Sequence, residues 1–485
     1  MPRWARLALA FASGAAMPWA FAPTSLRGLG WLALGLFAWL LIEHREKSIW
    51  LGLAFGLGWF GVGAWWLAPV FETYGHLSPL AAWLAEAAVG LVLALHPALW
   101  ATVVAWFRAP VARALAFVGL GVLIEWLRGH WMSGLPWTTI GTLALDTPWQ
   151  DWIVALGAYG AACFVLLGAS CIGLGLFIVH HSQWRWLKKA FVLFATLALF
   201  GIFAPKPAAF GQDRIQALLV QPNVPQEQKW QASFFGEVLR RLNELSQSQK
   251  ADLIVWPEAA IPAVLSDSEK LLFWILERSQ RLKTPILLGA VVRTSSGQLQ
   301  NGALAVADHL RGFTGKRHLV PFGEYVPFWA QGWLPRLVPE IGRFLPDSDP
   351  KPLRIKGISY GVLICYESIF PEEARLRVQN GAEVLVVLTN DAWYGQSPAA
   401  WQHMEAARLR ALELGRFVLH ATNTGITAAI APDGRIEKAL PWWTKGALLA
   451  SFAPMRVETP YLIWGDWPAL LTAATLVLLA WGRVE

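Results

Sequence analysis

Charge and sulfur are scarce in this 485-residue chain: charged residues make up 15%, and there are only three cysteines and five methionines. Three cysteines cannot build a disulfide framework, and two of them, Cys163 and Cys171, lie inside one apolar run. Low charge beside 55% hydrophobic residues excludes a disordered polymer and a purely water-soluble enzyme. The net charge of +7 is spread along the chain, with no basic slab of the kind that binds nucleic acid. A Gly-x-Ser-x-Gly elbow is also missing, and His403 has no neighbouring His or Cys at ligand spacing, so serine-hydrolase and zinc chemistry have little support.

What is abundant is unevenly placed. The first 204 residues hold 18 of the 73 charges and 18 of the 30 tryptophans. Indoles gather at membrane interfaces, so this half calls for a lipid solvent. Runs long enough to approach the roughly 20 apolar residues of a spanning helix fall at about 5–22, 28–42, 48–71, 79–107, 111–127, 152–180 and 186–204, with an eighth near 460–482. The first run, preceded by Arg3 and Arg6, has some character of a signal peptide, but the alternation that follows at once favours a retained span. With the N-terminus inside, the inner segments carry Arg3, Arg6, Arg45, Lys47, Arg108, Arg113, Arg185, Lys188, Lys189 and Arg483, against Arg27 and Arg128 outside. That bias puts residues 205–458 on the outer face. Glu86 and Glu125 lie in or near the ends of spans, where a carboxylate needs a partner. Arg128 is the expected partner of Glu125 in a structural ion pair, and His96-Pro97 suggests a kink.

The expected organisation is a membrane domain over 1–204, an outer catalytic domain over 205–458 and a last spanning helix over 459–485. In the outer part, aliphatic runs alternate with amphipathic helices. Strands are predicted at Ile215–Gln221, Asp252–Trp256, Ile286–Val292, Leu299–Ala307, Ile358–Cys365 and Val384–Leu388, and helices at Gln231–Gln249, Lys270–Leu282, Glu372–Gln379 and Ala399–Leu414. Phe417–Ala431 breaks at Asn423-Thr424-Gly425 into a strand pair. This pattern suits one α/β domain with a buried sheet. Tyr325–Leu345 is different. It carries Phe328, Trp329, Trp333, Leu334, Leu337, Val338, Ile341 and Phe344 between three prolines, too broken to span and too apolar for an ordinary loop, and is expected to touch the bilayer and gate lipid entry. Trp442 and Trp443 form a second cluster, and packing inside the domain is the alternative for both.

Three patches hold residue types suited to covalent acyl chemistry: Glu258 after a strand in WPEAAIP, Lys316 and Glu324 in GKRHLVPFGEYVP, and Cys365 ending a strand in ICYES. A base beside a thiol makes a nucleophile, a lysine can hold an oxyanion, and a carboxylate among apolar neighbours can shuttle protons near neutrality. Taken singly, each has a plain structural reading as a turn cap or a core thiol.

Together these motifs resemble the Glu-Lys-Cys triad of the nitrilase, or carbon–nitrogen hydrolase, superfamily. With LVPFGEYVP, CYE, TNDAWYG and QPNVPQ ending near Trp230, and seven spans before the domain and one after, the chain resembles the bacterial apolipoprotein N-acyltransferase family. Leu127-Arg128-Gly129 and Leu135-Pro136-Trp137 are similar to an outer-loop pattern of that family. The resemblance implies about eight transmembrane helices joined to a nitrilase-like α-β-β-α sandwich in the bacterial cytoplasmic (inner) membrane, its catalytic domain facing the periplasm. It implies Glu258 as general base, Lys316 as oxyanion stabiliser, Cys365 as nucleophile and Glu324 as a supporting carboxylate, with Trp230, Tyr366, Glu367, Asn390 and Trp393 shaping the substrate site. The implied reaction moves a fatty acyl chain from a phospholipid donor through a Cys365 thioester to the α-amine of a diacylated apolipoprotein acceptor. It needs the lipid bilayer as a partner and no metal, nucleotide or other cofactor. A membrane-anchored amidase using water as acceptor shares the triad and is the competing expectation; a non-enzymatic transporter or scaffold is supported by the spans alone.

Overall fold

The computed structural model describes residues 1–482 apart from 185–191, 193–194, 197–198, 200, 208, 212–213, 329–330 and 333–343. The chain divides into two compact units, Met1–Lys206 with Gln396–Pro398 and Ile463–Glu485, and Pro207–Gly395 with Ala399–Leu462.

In the first unit, three described helices are long and apolar enough to cross a membrane: Pro79–Val104, Pro110–His130 and Gln150–His180. The expected runs at 5–22, 28–42, 48–71 and 460–482 fall on shorter helices, Arg3–Ala16, Arg27–Glu43, Ser48–Gly56 and Trp467–Trp481. The run at 48–71 passes into a π turn at Leu57–Gly61 and resumes as Leu67–Thr73. Most of the run at 186–204, with Arg185, Lys188 and Lys189, lies outside the described residues, as does Arg483. Small residues let the helices approach closely: a Cβ on Gly52 would stand 2.2 Å from the Pro97 carbonyl oxygen, and one on Gly14 would stand 2.0 Å from that of Phe55.

The Glu125–Arg128 ion pair is present and buried, with Arg128 Nη2 3.0 Å from Glu125 Oε1. Its second job is to hold the following loop. Arg128 donates to the Leu135 and Trp137 carbonyls, and the Ile140 amide donates to Glu125 Oε2 at 2.8 Å. Glu86 is also buried, but its Oε1 has no hydrogen-bond partner among the described residues.

The second unit is built on two six-stranded sheets. The strands are β1 (Ile215–Gln221), β2 (Leu253–Trp256), β3 (Ile286–Arg293), β4 (Leu299–Val306), β5 (Leu310–Gly315), β6 (Leu353–Ile355), β7 (Ile358–Ile364), β8 (Val384–Thr389), β9 (Val418–Thr422), β10 (Ala428–Ile430), β11 (Ile436–Ala439) and β12 (Gly446–Phe452). One sheet runs β12-β1-β2-β3-β4-β5 and the other β11-β10-β9-β8-β7-β6. Alternate side chains of each strand point to opposite faces. Leu219, Val255 and Leu287 of the first sheet meet Val362, Val386 and Leu419 of the second in one buried core. Leu218, Ile254 and Leu288 face outward onto the helices Phe235–Ser246 and Glu269–Leu282. Leu363, Leu385 and Val387 pack against Pro371–Gln379 and Ala399–Leu414. The layers are therefore α-β-β-α. Because both faces of each sheet are covered, the central strands read as unbroken aliphatic runs.

The predicted strand pair at Phe417–Ala431 is the antiparallel β9–β10. Strands β5, β6, β11 and β12 go beyond the sequence expectation, and β12 pairs with β1 over seven positions, from Ile215 opposite Phe452 to Gln221 opposite Gly446. The helix expected at Gln231–Gln249 is shorter, Phe235–Ser246, because Ala232–Phe234 forms a tighter 3-10 turn.

Candidate active site

The chemistry-bearing residues sit just past strand ends, where backbone pairing stops and functional side chains of α/β sheets gather. Glu258 follows β2, Lys316 follows β5, Cys365 follows β7 and Asn390 follows β8. Backbone geometry is constrained here. Cys365 has φ of 50° and Ala259, after Glu258, has φ of 42°, values that cost a non-glycine residue about 1–2 kcal/mol each.

Lys316, which is buried, and the half-buried Glu324 form an ion pair, Nζ to Oε2 2.8 Å and to Oε1 2.9 Å. Glu324 also accepts from the Val320 amide at 2.8 Å. Asn301, on β4, donates its amide to Glu258 Oε1 at 2.9 Å and to Glu324 Oε1 at 3.2 Å, tying the two carboxylates together. The Asn390 amide N–H donates to Glu258 Oε2 at 3.0 Å. Its side chain bridges Gln226 and Asn423, both at 2.8 Å.

Electrostatics join Cys365 to this group. Burial pushes the thiol well above its ordinary range, Glu258 pushes the same way, and Lys316 opposes them. Burial likewise raises the Glu258 carboxyl, against Lys316. The Lys316 ammonium is held above its ordinary range although burial works against it, because Glu324, Glu258 and Cys365 favour its charge. A thiol and a carboxylate with raised proton affinities, beside a fixed cation, can exchange one proton and hold an oxyanion.

Glu367 is fully buried. Its carboxylate accepts from Ile364 N at 2.7 Å, Arg317 N at 2.8 Å, His318 N at 3.2 Å and Arg377 Nη2 at 2.9 Å. It braces the turn Cys365–Ile369 against the chain just after Lys316. Tyr366 is buried beside His318, while Trp230 and Trp393 are 54% and 40% exposed and offer apolar surface. Glu324 also roots the apolar arm, since its carbonyl accepts from Phe344 N at 3.0 Å. Residues 329–330 and 333–343 of that arm lie outside the described residues, including Trp329, Trp333, Leu334, Leu337, Val338 and Ile341; Phe328 is 84% exposed. Trp442 meets Trp401, and Trp443 N donates to the Thr424 carbonyl, so this pair packs within the domain.

Two site residues escaped the sequence reading. Asn301 is a buried polar side chain on β4, which is itself a signal because such a group needs partners. Lys229, beside Trp230, is 3% exposed and donates to the Glu258 carbonyl at 3.1 Å. Burial lowers its pKa to about 8, against Glu258 and Cys365. Among the described residues, the one cluster of metal-ligand types is Glu43, His180 and His181, in the other unit.

Residues 13–171 match the apolipoprotein N-acyltransferase N-terminal domain and residues 219–459 match carbon-nitrogen hydrolase. The chain is 36% identical to an apolipoprotein N-acyltransferase of Ralstonia nicotianae, over 95% of this chain and 90% of that one. It is 33% identical to one of Methylococcus capsulatus, over 98% and 95%. A carbon-nitrogen hydrolase structure from Helicobacter pylori is 16% identical with a TM-score of 0.36, covering 53% of this chain and 94% of that one. With similarity to named relatives running nearly end to end, the chain belongs to the apolipoprotein N-acyltransferase family.

Proposed function

We propose that this enzyme transfers a fatty acyl chain from a phospholipid to the N-terminal α-amine of an S-diacylglyceryl-cysteine apolipoprotein, through a thioester on Cys365. Glu258 takes the Sγ–H proton as the sulfur attacks the ester carbonyl carbon. Lys316 stabilises the oxyanion, with Glu324 holding its charge in place. The C–O bond breaks, Glu258 returns the proton to the leaving alkoxide, and a lysophospholipid departs. In the second half the α-amine attacks the thioester, Glu258 takes a proton from nitrogen and gives it to the departing sulfur, and an amide is left. Trp230, Tyr366, Asn390 and Trp393 line the way for the two lipidated substrates. The membrane part holds eight spans in the cytoplasmic membrane, with the catalytic unit over 205–458 on the periplasmic face, and the Tyr325–Leu345 arm keeps water from the thioester.

The observation that carries this reading is the linked set of Glu258, Lys316 and Glu324, the first two of which act electrostatically on the buried thiol of Cys365. The raised proton affinity of the thiol suits it, because proton transfer to Glu258 then accompanies attack and the resting sulfur stays unreactive. The test is intact-mass analysis of the purified full chain after incubation with phospholipid, then with a diacylated lipopeptide. An acyl adduct on Cys365 that the lipopeptide discharges as amide is expected. Transfer by Cys365→Ala would overturn the mechanism, and discharge to free fatty acid alone would mark the amidase-like alternative.

A further inference from the structure

Behind the nucleophile, on the buried helix Ala399–Leu414, lies a histidine that the mechanism above does not use. His403 is fully buried. Its Nδ1 is 2.9 Å from Asp391 Oδ1, and its Nε2 is 2.9 Å from the carbonyl oxygen of Cys365 and 2.7 Å from Ser368 Oγ. Ser368 Oγ itself donates to the Cys365 carbonyl at 3.0 Å, and the Thr389 hydroxyl donates to Asp391 Oδ1 at 2.9 Å.

With the Ser368 hydroxyl proton given to the Cys365 carbonyl, both ring nitrogens of His403 face acceptors, the Asp391 carboxylate at Nδ1 and that carbonyl at Nε2, which is the arrangement of an imidazolium. Electrostatics agree: burial lowers the proton affinity of His403, but Asp391 outweighs it and the net direction is upward. The carbonyl being held belongs to the residue with φ of 50°, at the bend where β7 turns into Cys365–Ile369. A peptide is planar, with its C=O and N–H pointing opposite ways. Fixing the Cys365 carbonyl on His403 therefore turns the Tyr366 N–H away from His403 and anchors the main chain that carries the Cys365 side chain.

We propose that His403, paired with Asp391, is a positioning residue for acyl transfer, holding the Cys365–Tyr366 peptide plane so that the thiol meets the ester carbonyl in a productive geometry. It touches no substrate. The inference rests on Cys365 being the nucleophile, which the Cys365→Ala control tests separately.

The titratable groups that face His403 are Asp391 at Nδ1, Cys365 before Nε2, Glu258 across the site and His420, whose ring stands edge-on at 5.6 Å. The experiment measures acyl-enzyme formation from phospholipid by full-length protein in detergent, for His403→Ala, His403→Gln and Asp391→Asn, with thermal unfolding as the check on folding. A glutamine amide can replace Nε2 as donor to the Cys365 carbonyl. Loss of an aligned donor at such a site costs on the order of 100-fold in rate, which is the expectation for His403→Ala, with KM for phospholipid unchanged and most of the loss recovered in His403→Gln. In Asp391→Asn the ring loses the carboxylate that holds its second proton. Acylation should then weaken toward alkaline pH and recover as the medium is acidified, opposite to the Glu258 limb of the wild type. Where His403→Ala does not fold, the pH profile of Asp391→Asn decides the matter. Wild-type rate and pH profile in Asp391→Asn, a wild-type rate in a folded His403→Ala, or a raised KM with unchanged kcat would overturn the proposal. If instead Cys365→Ala retains transfer, it is the nucleophile assignment that fails.

Discussion

Lys229 Nζ donates to the main-chain carbonyl of Glu258 at 3.1 Å, which places a buried cation beneath the residue proposed as the general base. The site thus holds two carboxylates, Glu258 and Glu324, and two ammonium groups, Lys316 and Lys229. Removing one cation from so dry a place leaves the carboxylates less willing to ionise.

Lys229→Met is accordingly expected to move the acid limb of acyl-enzyme formation to higher pH, since burial raises the Glu258 carboxyl and Lys229 is among the groups opposing it. Near pH 6 the rate should fall roughly 10- to 100-fold. The deficit should shrink as pH rises, because Glu258 then ionises unaided and the Lys229 ammonium of the wild type is itself discharged near its pKa of about 8. A pH–rate profile for both proteins checks it. A constant deficit at every pH would show that Lys229 acts only as packing.

Arg377 and Glu367 are both buried, 2.9 Å apart, and Arg377 Nη1 reaches Glu373 Oε2 at 2.9 Å. Arg377→Met leaves the Glu367 carboxylate buried without its cation, which costs about 3–5 kcal/mol. The turn carrying Cys365 should loosen with it, so acylation should fall more than stability alone explains. Adding Glu367→Gln removes the stranded charge and should recover part of the stability, giving a coupling above about 1 kcal/mol in a double-mutant cycle followed by chemical denaturation.

The central strands were legible because both faces of each sheet are buried and their sequences are uniformly aliphatic, as in Val384–Leu388. Glu258 and Cys365 stood out as polar or reactive types ending such runs. The later strands hid for physical reasons. β11 and the N-terminal half of β5 are partly exposed, so their composition is mixed, and β12 acquires its meaning only by pairing with β1 more than 200 residues earlier. Asp391 and His403 could not be joined by spacing, since their contact is made by the turn after β8 folding onto a separate helix. In the membrane part, hydropathy located apolar runs well but not helix limits, because Gly, Pro and π turns divide runs such as 48–71 into shorter pieces.

Gly289 supports Glu258 by having no side chain. A Cβ there would lie 2.4 Å from Glu258 Cα, 2.5 Å from the Pro257 carbonyl oxygen and 2.8 Å from Ala259 N. All three are main-chain atoms that cannot rotate aside, and the Gly289 and Ala260 amides are hydrogen-bonded across the same gap. Gly289→Ala should cost about 1–3 kcal/mol in stability. Displacing Glu258, the proposed base, by about 1 Å should reduce kcat/KM by about 100-fold. Steady-state kinetics beside thermal unfolding separate the two effects, and a variant with wild-type kcat/KM would show that Glu258 is not held by this contact.

His420 gives the catalytic unit a specific acid sensitivity. The ring is fully buried, with Nδ1 2.7 Å from the Ile426 carbonyl and Nε2 without a hydrogen-bond partner among the described residues. Burial, and then the neighbouring His403, lower its pKa to about 4, against the attraction of Asp391. The unfolded chain, with an ordinary histidine, binds this proton below about pH 6.5, whereas the folded chain does not bind it until about pH 4. Stability tied to His420 is therefore fully present above pH 6.5 and declines as pH falls toward 4. The total is on the order of 3 kcal/mol. His420→Asn keeps a donor in place of Nδ1 and cannot titrate, so its unfolding free energy should vary less with pH across that window. Chemical denaturation of the full chain at intervals from pH 7 to pH 4 measures the difference. Parallel curves for the two proteins would mean that His420 takes up its proton in the folded state as readily as in the unfolded one.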